Sequence, residues 1–302
     1  MKPMRPRFSR RWRVFIAERF PLPAHAAMLG AYCFGNIGVV RGVLGEDVVL
    51  WRTVPLVASV CLAFFRLRIF DEIKDVATDR LHHPERPLAR GLIPVGEAWR
   101  VSLTVAGLEL VLVAACGAAA ATAWCLAFGF SLLMKKEFFI GSWLAPRMEL
   151  YAVSHTFVAA LIGMTFASGL SGLTPWRLPT KLLWMGAINW ALFNVFEFAR
   201  KSYAPGEEPR GETYSKRLSP AGAAALTLSQ FVIAGSVLAC AGGGDIHSSG
   251  RSAAYVVIFG GPLLVSMPYA FGPTPPRARF FRAAMLALAL ATYVILPYAG
   301  MF

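Results

Sequence analysis

The sequence predicts an all-α, polytopic membrane protein of nine transmembrane helices with a cytoplasmic N-terminus, and three observations predict it. The first is composition: of 302 residues 56% are hydrophobic and only 16% charged, and the mean hydropathy is +0.54. Soluble domains are about 25% charged, so a soluble chain of this length lacks the polar surface to cover its cores. The second is the recurrence of apolar runs long enough to cross a hydrocarbon layer of ~30 Å. The third is a one-sided distribution of Lys and Arg among the connections between those runs, the pattern that orients spans. The same composition excludes a disordered chain and a disulfide-rich secreted scaffold. The 30 Lys+Arg against 17 Asp+Glu, formal net charge +13, would suit nucleic acid, but the basic residues sit between apolar runs. No nucleic-acid partner is expected.

Residues 1–21 read as a basic cytoplasmic N-terminal arm with seven Lys and Arg, placed to lie on an anionic leaflet. No apolar region with a small-residue cleavage site follows closely, and Pro21 and Pro23 interrupt the approach to the next apolar run, which argues against a cleaved signal peptide. Residues 22–302 read as a single intramembrane helical domain. Its spans fall at about 22–43, 50–74, 98–117, 118–134, 149–171, 180–202, 219–242, 253–271 and 280–299. The third and fourth are separated only by Gly117 and an alanine run, and the fifth starts near Pro146, a residue tolerated in a first helical turn. With the N-terminus inside, 25 of the 30 basic residues are cytoplasmic; Arg41, Arg52, Arg177, Lys181 and Arg251 are left for the other side. That bias sets the orientation and puts the C-terminus, at Phe302, outside. The five cysteines lie in or beside apolar stretches without CxxC spacing and read as small buried hydrophobes.

The polar residues gather at the cytoplasmic ends of spans two and six. In the loop region 71–100, Asp71, Asp75 and Asp79 are spaced i, i+4, i+8 and form one stripe on a helix. Like charges at that spacing repel. A divalent cation removes the conflict, because Mg²⁺ takes oxygen ligands from one or two carboxylates plus substrate phosphates. Arg86 and Arg90 follow, suited to phosphate oxygens. The blander reading is a solvated acidic face neutralised by Arg68, Lys74 and Arg80. The second polar segment, 194–217, places Asn194 and Glu197 on one helix face and Lys201 four residues after Glu197, before Pro205-Gly206 opens an acidic loop. Its blander reading is a Glu197–Lys201 ion pair closing a span.

These two segments resemble the aspartate-rich motifs of the UbiA superfamily of intramembrane prenyltransferases. The first motif of that family reads N-D/Q-x-x-D-x-x-x-D; here it becomes Asp71-Glu72-x-x-Asp75-x-x-x-Asp79, followed by Arg86-Pro87-Leu88 and Gly91 where the family has R-P-L-x-x-G. The second motif departs: the family has D-x-x-x-D, and this chain has Glu197-x-x-x-Lys201, preceded by Asn194 and followed by Glu207 and Glu208. Lysine does not ligate a cation, so the resemblance leaves open whether a second Mg²⁺ binds, whether Lys201 meets the diphosphate, or whether loop carboxylates fold back.

The resemblance implies a helical bundle around a central cavity in the inner or plasma membrane, with the active site toward the cytoplasm. It implies a Mg²⁺-dependent enzyme that ionises an allylic isoprenoid diphosphate and transfers the prenyl group to a lipophilic or aromatic acceptor. Some relatives cyclise the chain with no acceptor, and the ionisation step is common to both. On this reading Asp71, Asp75, Asp79 and Glu197 are the metal-binding and catalytic acids. Arg86, Arg90, Lys136, Lys201 and Lys216 bind the diphosphate. Asn194, Phe193, Glu109 and His155 belong to the substrate cavity. Phe138, Phe139, Trp143, Trp190 and Phe196 join Phe193 as aromatic faces able to stabilise a cation, or as ordinary packing. Glu109, in mid-span, is an intramembrane ionisable group or a carboxyl bonded to a neighbouring helix; His155 is a base or a packing residue. A transporter with Glu109 at its midplane and a non-catalytic scaffold are the remaining alternatives. Against the transporter, the acids concentrate at one leaflet; the altered second motif favours the scaffold.

Overall fold

The structure, a computed structural model, describes residues 7–45, 49–209, 211–241 and 249–298. The predicted Lys2 and Arg5 of the arm and the C-terminus at Phe302 lie outside the described residues. All regular structure described is helical. Residues 8–19 of the arm form α1 (Phe8–Arg19), and α2 (Leu22–Leu44), α3 (Thr53–His82), α4 (Val95–Ala115) and α5 (Ala118–Lys135) follow. A one-turn α6 (Gly141–Leu144) precedes α7 (Met148–Thr156) and α8 (Val158–Ser171), which form one span broken at Phe157. Then come α9 (Thr180–Arg200), α10 (Tyr214–Ala241), α11 (Ser249–Tyr255), α12 (Gly261–Phe271) and α13 (Pro275–Ile295).

Among the described residues eight helices are long and apolar enough to cross a membrane. The span expected at 253–271 contains a shorter apolar helix, Val256–Phe271, which continues α11 without a break. It begins with a π turn at Val256–Gly260, and Gly260, Gly261, Pro262 and Pro268 crowd its length. The second predicted span runs on: α3 continues to His82, so the whole aspartate stripe is helical.

Each long helix packs on its neighbour in the chain, and α13 closes against α2, so the helices form a ring with α8 and α9 filling its middle. Large apolar residues on many helices face outward, among them Leu108, Val111, Val232 and Leu264, as a lipid-facing surface requires. Where helices meet, polar side chains find one another. Asn36 of α2 and Asn189 of α9 exchange two amide hydrogen bonds, at 3.1 and 2.8 Å. Gly163 of α8 lies so close that a Cβ there would stand 2.2 Å from Asn189 Nδ2, which leaves no room for any larger residue.

The strongest tie joins α3, α4 and α5. Arg66 donates to both oxygens of Glu109, at 2.7 and 3.0 Å, and to Ser131 Oγ at 2.9 Å. Trp124 Nε1 donates to Glu109 Oε2 at 2.9 Å. Both charges are buried, and the guanidinium also sits over the ring of Phe128. Removing one partner of such a pair strands the other charge and costs about 3–5 kcal/mol. Glu109→Gln is therefore expected to lower the thermal unfolding midpoint in detergent by several degrees, and Arg66→Met combined with Glu109→Leu to recover most of that loss. An unchanged midpoint in the single variant would show that the clamp adds no stability.

Candidate active site

At the end of the bundle where α3 and α9 carry their polar residues, a cavity of about 770 Å³ opens among α1, α3, α7 and α9. Its floor is apolar: Phe64, Leu67, Met28, Met134 and Val158 line it, and Phe64 stacks on Phe193 with ring centroids 5.2 Å apart. Its upper wall is charged, with Arg19, Arg68, Lys74, Arg86, Arg200 and Lys201 facing Asp71, Asp75 and Glu197. An elongated apolar group with a polyanionic head matches this division.

The register of α3 decides which aspartates reach the cavity. A step of four residues advances about 40° around a helix, so the stripe drifts. Asp71 and Asp75 face the cavity. Asp79, a further step round, is buried and accepts from Arg86 Nη1 at 2.6 Å. Arg86 itself lines the cavity, so Asp79 acts on the site through it. Among the described residues Asp71 has no ion-pair partner. Asp75 has only Lys74, at 3.8 Å. Glu72, beside Asp71, is buried on another face and holds Arg19 at 2.6 Å and Arg68 at 2.7 Å. Those two arginines are thereby fixed at the rim.

On the α9 side, Glu197 lines the cavity with both neighbouring cations in its grip, Arg200 at 2.5 Å and Lys201 at 2.8 Å. Lys201 also lies 5.9 Å from the ring of Tyr214. A helix C-terminus favours cations, which explains why α9 ends on them. The fourth wall is α7. Lys74 Nζ donates to the Tyr151 hydroxyl, whose ring stacks on His155 with centroids 4.0 Å apart. His155 Nδ1 meets the Tyr151 carbonyl at 2.7 Å.

Of the residues singled out from the sequence, Asp71, Asp75, Glu197, Arg86, Lys201, Phe193 and His155 come together here. Others do not. Glu109 is spent on Arg66 and lines a separate, enclosed void. Asn194 is buried between Gln230, to which it donates at 3.0 Å, and the Thr156 hydroxyl. Arg90 pairs with Glu18 at 2.9 Å. Lys216 donates to the carbonyls of Pro209 and Gly211, and Lys136 is exposed; none of the three lines the cavity.

Of the aromatics, Phe196 reaches the cavity. Phe139 and Trp143 point outward, and Trp190 donates to the Val153 carbonyl. Phe138 packs edge-on to His155, held there by a turn in which Glu137, Phe138 and Phe139 all have positive φ, a conformation costing roughly 1–2 kcal/mol per residue. Sequence reasoning missed Arg19, Tyr151 and Arg200 as cavity residues, and treated Lys74 and Arg68 only as neutralising charge. The i, i+4 spacing of Tyr151 and His155 was the one available sign that they share a face.

Loop carboxylates do not return to the site: Glu207 pairs with Arg279 at 3.3 Å and Arg282 at 3.8 Å. Among the described residues no three His, Cys, Asp or Glu side chains converge as a complete metal cage. The donors that remain are Asp71 and Asp75. They fit Mg²⁺ as it binds alongside substrate phosphates, through one or two carboxylates.

No protein-family sequence model matches the chain, and no curated protein sequence does. Solved structures do. A digeranylgeranylglyceryl phosphate synthase superposes with TM-score 0.61 at 13% identity, over 97% of this chain and 99% of its own. A UbiA homolog from Aeropyrum pernix K1 gives 0.61 at 16%, over 90% and 95%. A UbiA homolog from Archaeoglobus fulgidus, solved with DMAPP and Mg²⁺, gives 0.54 at 15%, over 88% and 96%. The chain shares the fold of these solved structures over about nine-tenths of its length.

A charged wall of this kind calls for water at the mouth of the cavity. In a background with the five cysteines replaced, Met148→Cys is expected to react with a water-soluble methanethiosulfonate, and Ser59→Cys, buried away from the cavity, to stay unlabelled. Equal labelling of both would mean that water does not distinguish the cavity from the packed interior.

Proposed function

We propose that this protein is a Mg²⁺-dependent intramembrane enzyme that ionises an allylic isoprenoid diphosphate and transfers the prenyl group to a lipophilic acceptor. The observation that carries the reading is the joining, in one cavity, of an aromatic floor to a cation-rich wall from which Asp71 projects without an ion-pair partner. The Archaeoglobus fulgidus relatives bound to DMAPP or GPP together with Mg²⁺ support the same substrate class here. The excess of basic residues on the connections at this end supports a cytoplasmic mouth and N-terminus.

Asp71 and Asp75 would hold Mg²⁺ at the diphosphate. When bound, the ion supplies charge neutralisation on the leaving oxygens. Arg86, steadied by Asp79, and Lys74 are placed to take up charge that develops on the same oxygens as the C–O bond breaks. Phe64, Phe193 and Phe196 line the space where the prenyl chain lies, keep water from the allylic cation and offer it their ring faces. A second reading shares every one of these roles. The stacked aromatic floor suits an enzyme that folds and cyclises the prenyl cation without an acceptor, as a terpene cyclase does.

The test uses purified protein in nanodiscs with Mg²⁺ and radiolabelled geranyl, farnesyl and geranylgeranyl diphosphates, following diphosphate release and hydrocarbon-extractable products without an acceptor. Release with a cyclic hydrocarbon selects the cyclase; binding without release selects the transferase; neither binding nor release removes both. Asp71→Asn and Asp75→Asn are expected to cut turnover by about 10²–10³, the loss typical of removing one electrostatic stabiliser of a transition state. Asp79→Asn, acting through Arg86, is expected to cost about 10-fold to 100-fold, as outer-shell partners do. Full turnover in both Asp71→Asn and Asp75→Asn would remove the metal role assigned to α3.

A further inference from the structure

We infer that this protein binds a single Mg²⁺ at the diphosphate, and that Arg200 and Lys201, held by Glu197, supply from α9 the positive charge that a second metal would otherwise bring. The inference rests on the diphosphate reading above and specifies how its two halves differ. A carboxylate ligates a cation with lone pairs it has free. Three of the about four lone-pair sites of Glu197 are engaged, Oε2 by Arg200 Nη2 at 2.5 Å and Nε at 2.7 Å and Oε1 by Lys201 at 2.8 Å. Its side chain is largely covered, at 17% exposure, while Arg200 and Lys201 are more open, at 59% and 32%. The α9 wall therefore offers the cavity cations rather than ligands. The acids of the following loop do not replace them: none of Glu207, Glu208 and Glu212 lines the cavity, and Glu207 is taken by Arg279 and Arg282. On α3 the situation is reversed, since Asp71 has no ion-pair partner among the described residues and points into the cavity.

Charge balance selects the same count. Six cationic side chains line the cavity. The carboxylates that face it or pair with those cations are Asp71, Glu72, Asp75, Asp79 and Glu197, one fewer. A phosphate monoester carries nearly two negative charges near neutral pH, and a diphosphate monoester roughly three. One divalent cation then closes the site near neutrality, whereas a second would leave it about two charges positive in a low-dielectric setting, where uncompensated charge is expensive. Arg200 offers a planar donor set that meets two phosphate oxygens at once. Glu197 is thus a positioning residue for Arg200 and Lys201.

The experiment counts metal without turnover. The full chain in nanodiscs is dialysed to equilibrium against Mn²⁺ with saturating inorganic pyrophosphate, and bound Mn²⁺ and bound pyrophosphate per chain are measured against a protein-free chamber. One Mn²⁺ per chain is expected. Glu197→Gln is expected to leave that count at one while weakening pyrophosphate, since its two cations lose their anchor. Arg200→Met with Lys201→Met, both on partly open side chains, is expected to weaken pyrophosphate about tenfold at unchanged Mn²⁺ count. Asp71→Asn is expected to weaken Mn²⁺ at least tenfold. Two Mn²⁺ per chain, one of them lost in Glu197→Gln, would overturn the single-metal inference and leave the diphosphate reading standing. Unaltered pyrophosphate affinity in the double variant would equally overturn it. Absence of any Mn²⁺-dependent pyrophosphate binding by the wild-type chain would overturn the diphosphate reading itself.

Discussion

Arg66 and Glu109 fix the rotation of α3, and the chemistry at the polar end of the bundle depends on that rotation. An ion pair buried among helices has few places to go: each charge is costly without the other, and Ser131 and Trp124 occupy the remaining hydrogen-bonding positions. With Arg66 held toward α4 and α5, geometry settles what lies further along the helix. Asp71, five residues on, stands about 140° round, and Asp75, nine residues on, about 180°. Both therefore point away from the clamp and into the cavity. A helix turned by one residue's angle would present Glu72 or Phe70 in the place of Asp71. The clamp is remote from any substrate, yet it decides which carboxylates a substrate meets.

The same cost of unpaired charge sorts the acids at the cavity into two kinds. Glu72, Asp79 and Glu197 each hold arginine or lysine at short range. They let cations stand at the rim of an apolar chamber without collapsing onto one another. Asp71 and Asp75 are left with little or nothing of this sort. A site made this way is preorganised: its cations are already oriented, so little rearrangement accompanies the arrival of a polyanion. α1 takes part in the arrangement. Trp12 and Phe15 bury against Ile69, Ile73 and Leu88, which carries Arg19 to Glu72 and the cavity edge.

Much of this was legible in the sequence, and what was not has a physical reason. Long apolar runs, the Asp71–Asp75–Asp79 stripe and the Glu197–Lys201 pair are local patterns, readable from the spacing of residues along one helix. The partnership of Arg66 with Glu109 is not local: the two lie 43 positions apart on different spans, and nothing near either names the other. Asn194 is a similar case, since its partner Gln230 is on the next helix. The divergence of Asp79 from Asp71 was in principle calculable from helical pitch, but which side of the drift faces the cavity follows from packing alone. The basic residues of the arm stand out and suit an anionic leaflet, but they do not announce that the arm also docks on α3. The buried Trp12 and Phe15 that dock it sit among them at helical spacing and give a weak signal.

In this chain, which shares its fold with UbiA homologs at identities near 15%, a charged mouth lies over an apolar chamber, and on the single-metal inference the source of the positive charge is separable from its position. A metal ion and a guanidinium at the same wall neutralise the same oxygens, but they differ in what happens afterwards. A metal held by one or two carboxylates would be free to exchange, whereas Arg200 and Lys201 are part of the chain and stay. On the reading proposed above, a product leaving them must exchange their donors for water, while Glu197 keeps both cations in place. Its two ion pairs hold the cations oriented before an anion arrives and while it is bound. Affinity for a diphosphate on this side would therefore rest on charge-assisted hydrogen bonds from cations that are already positioned.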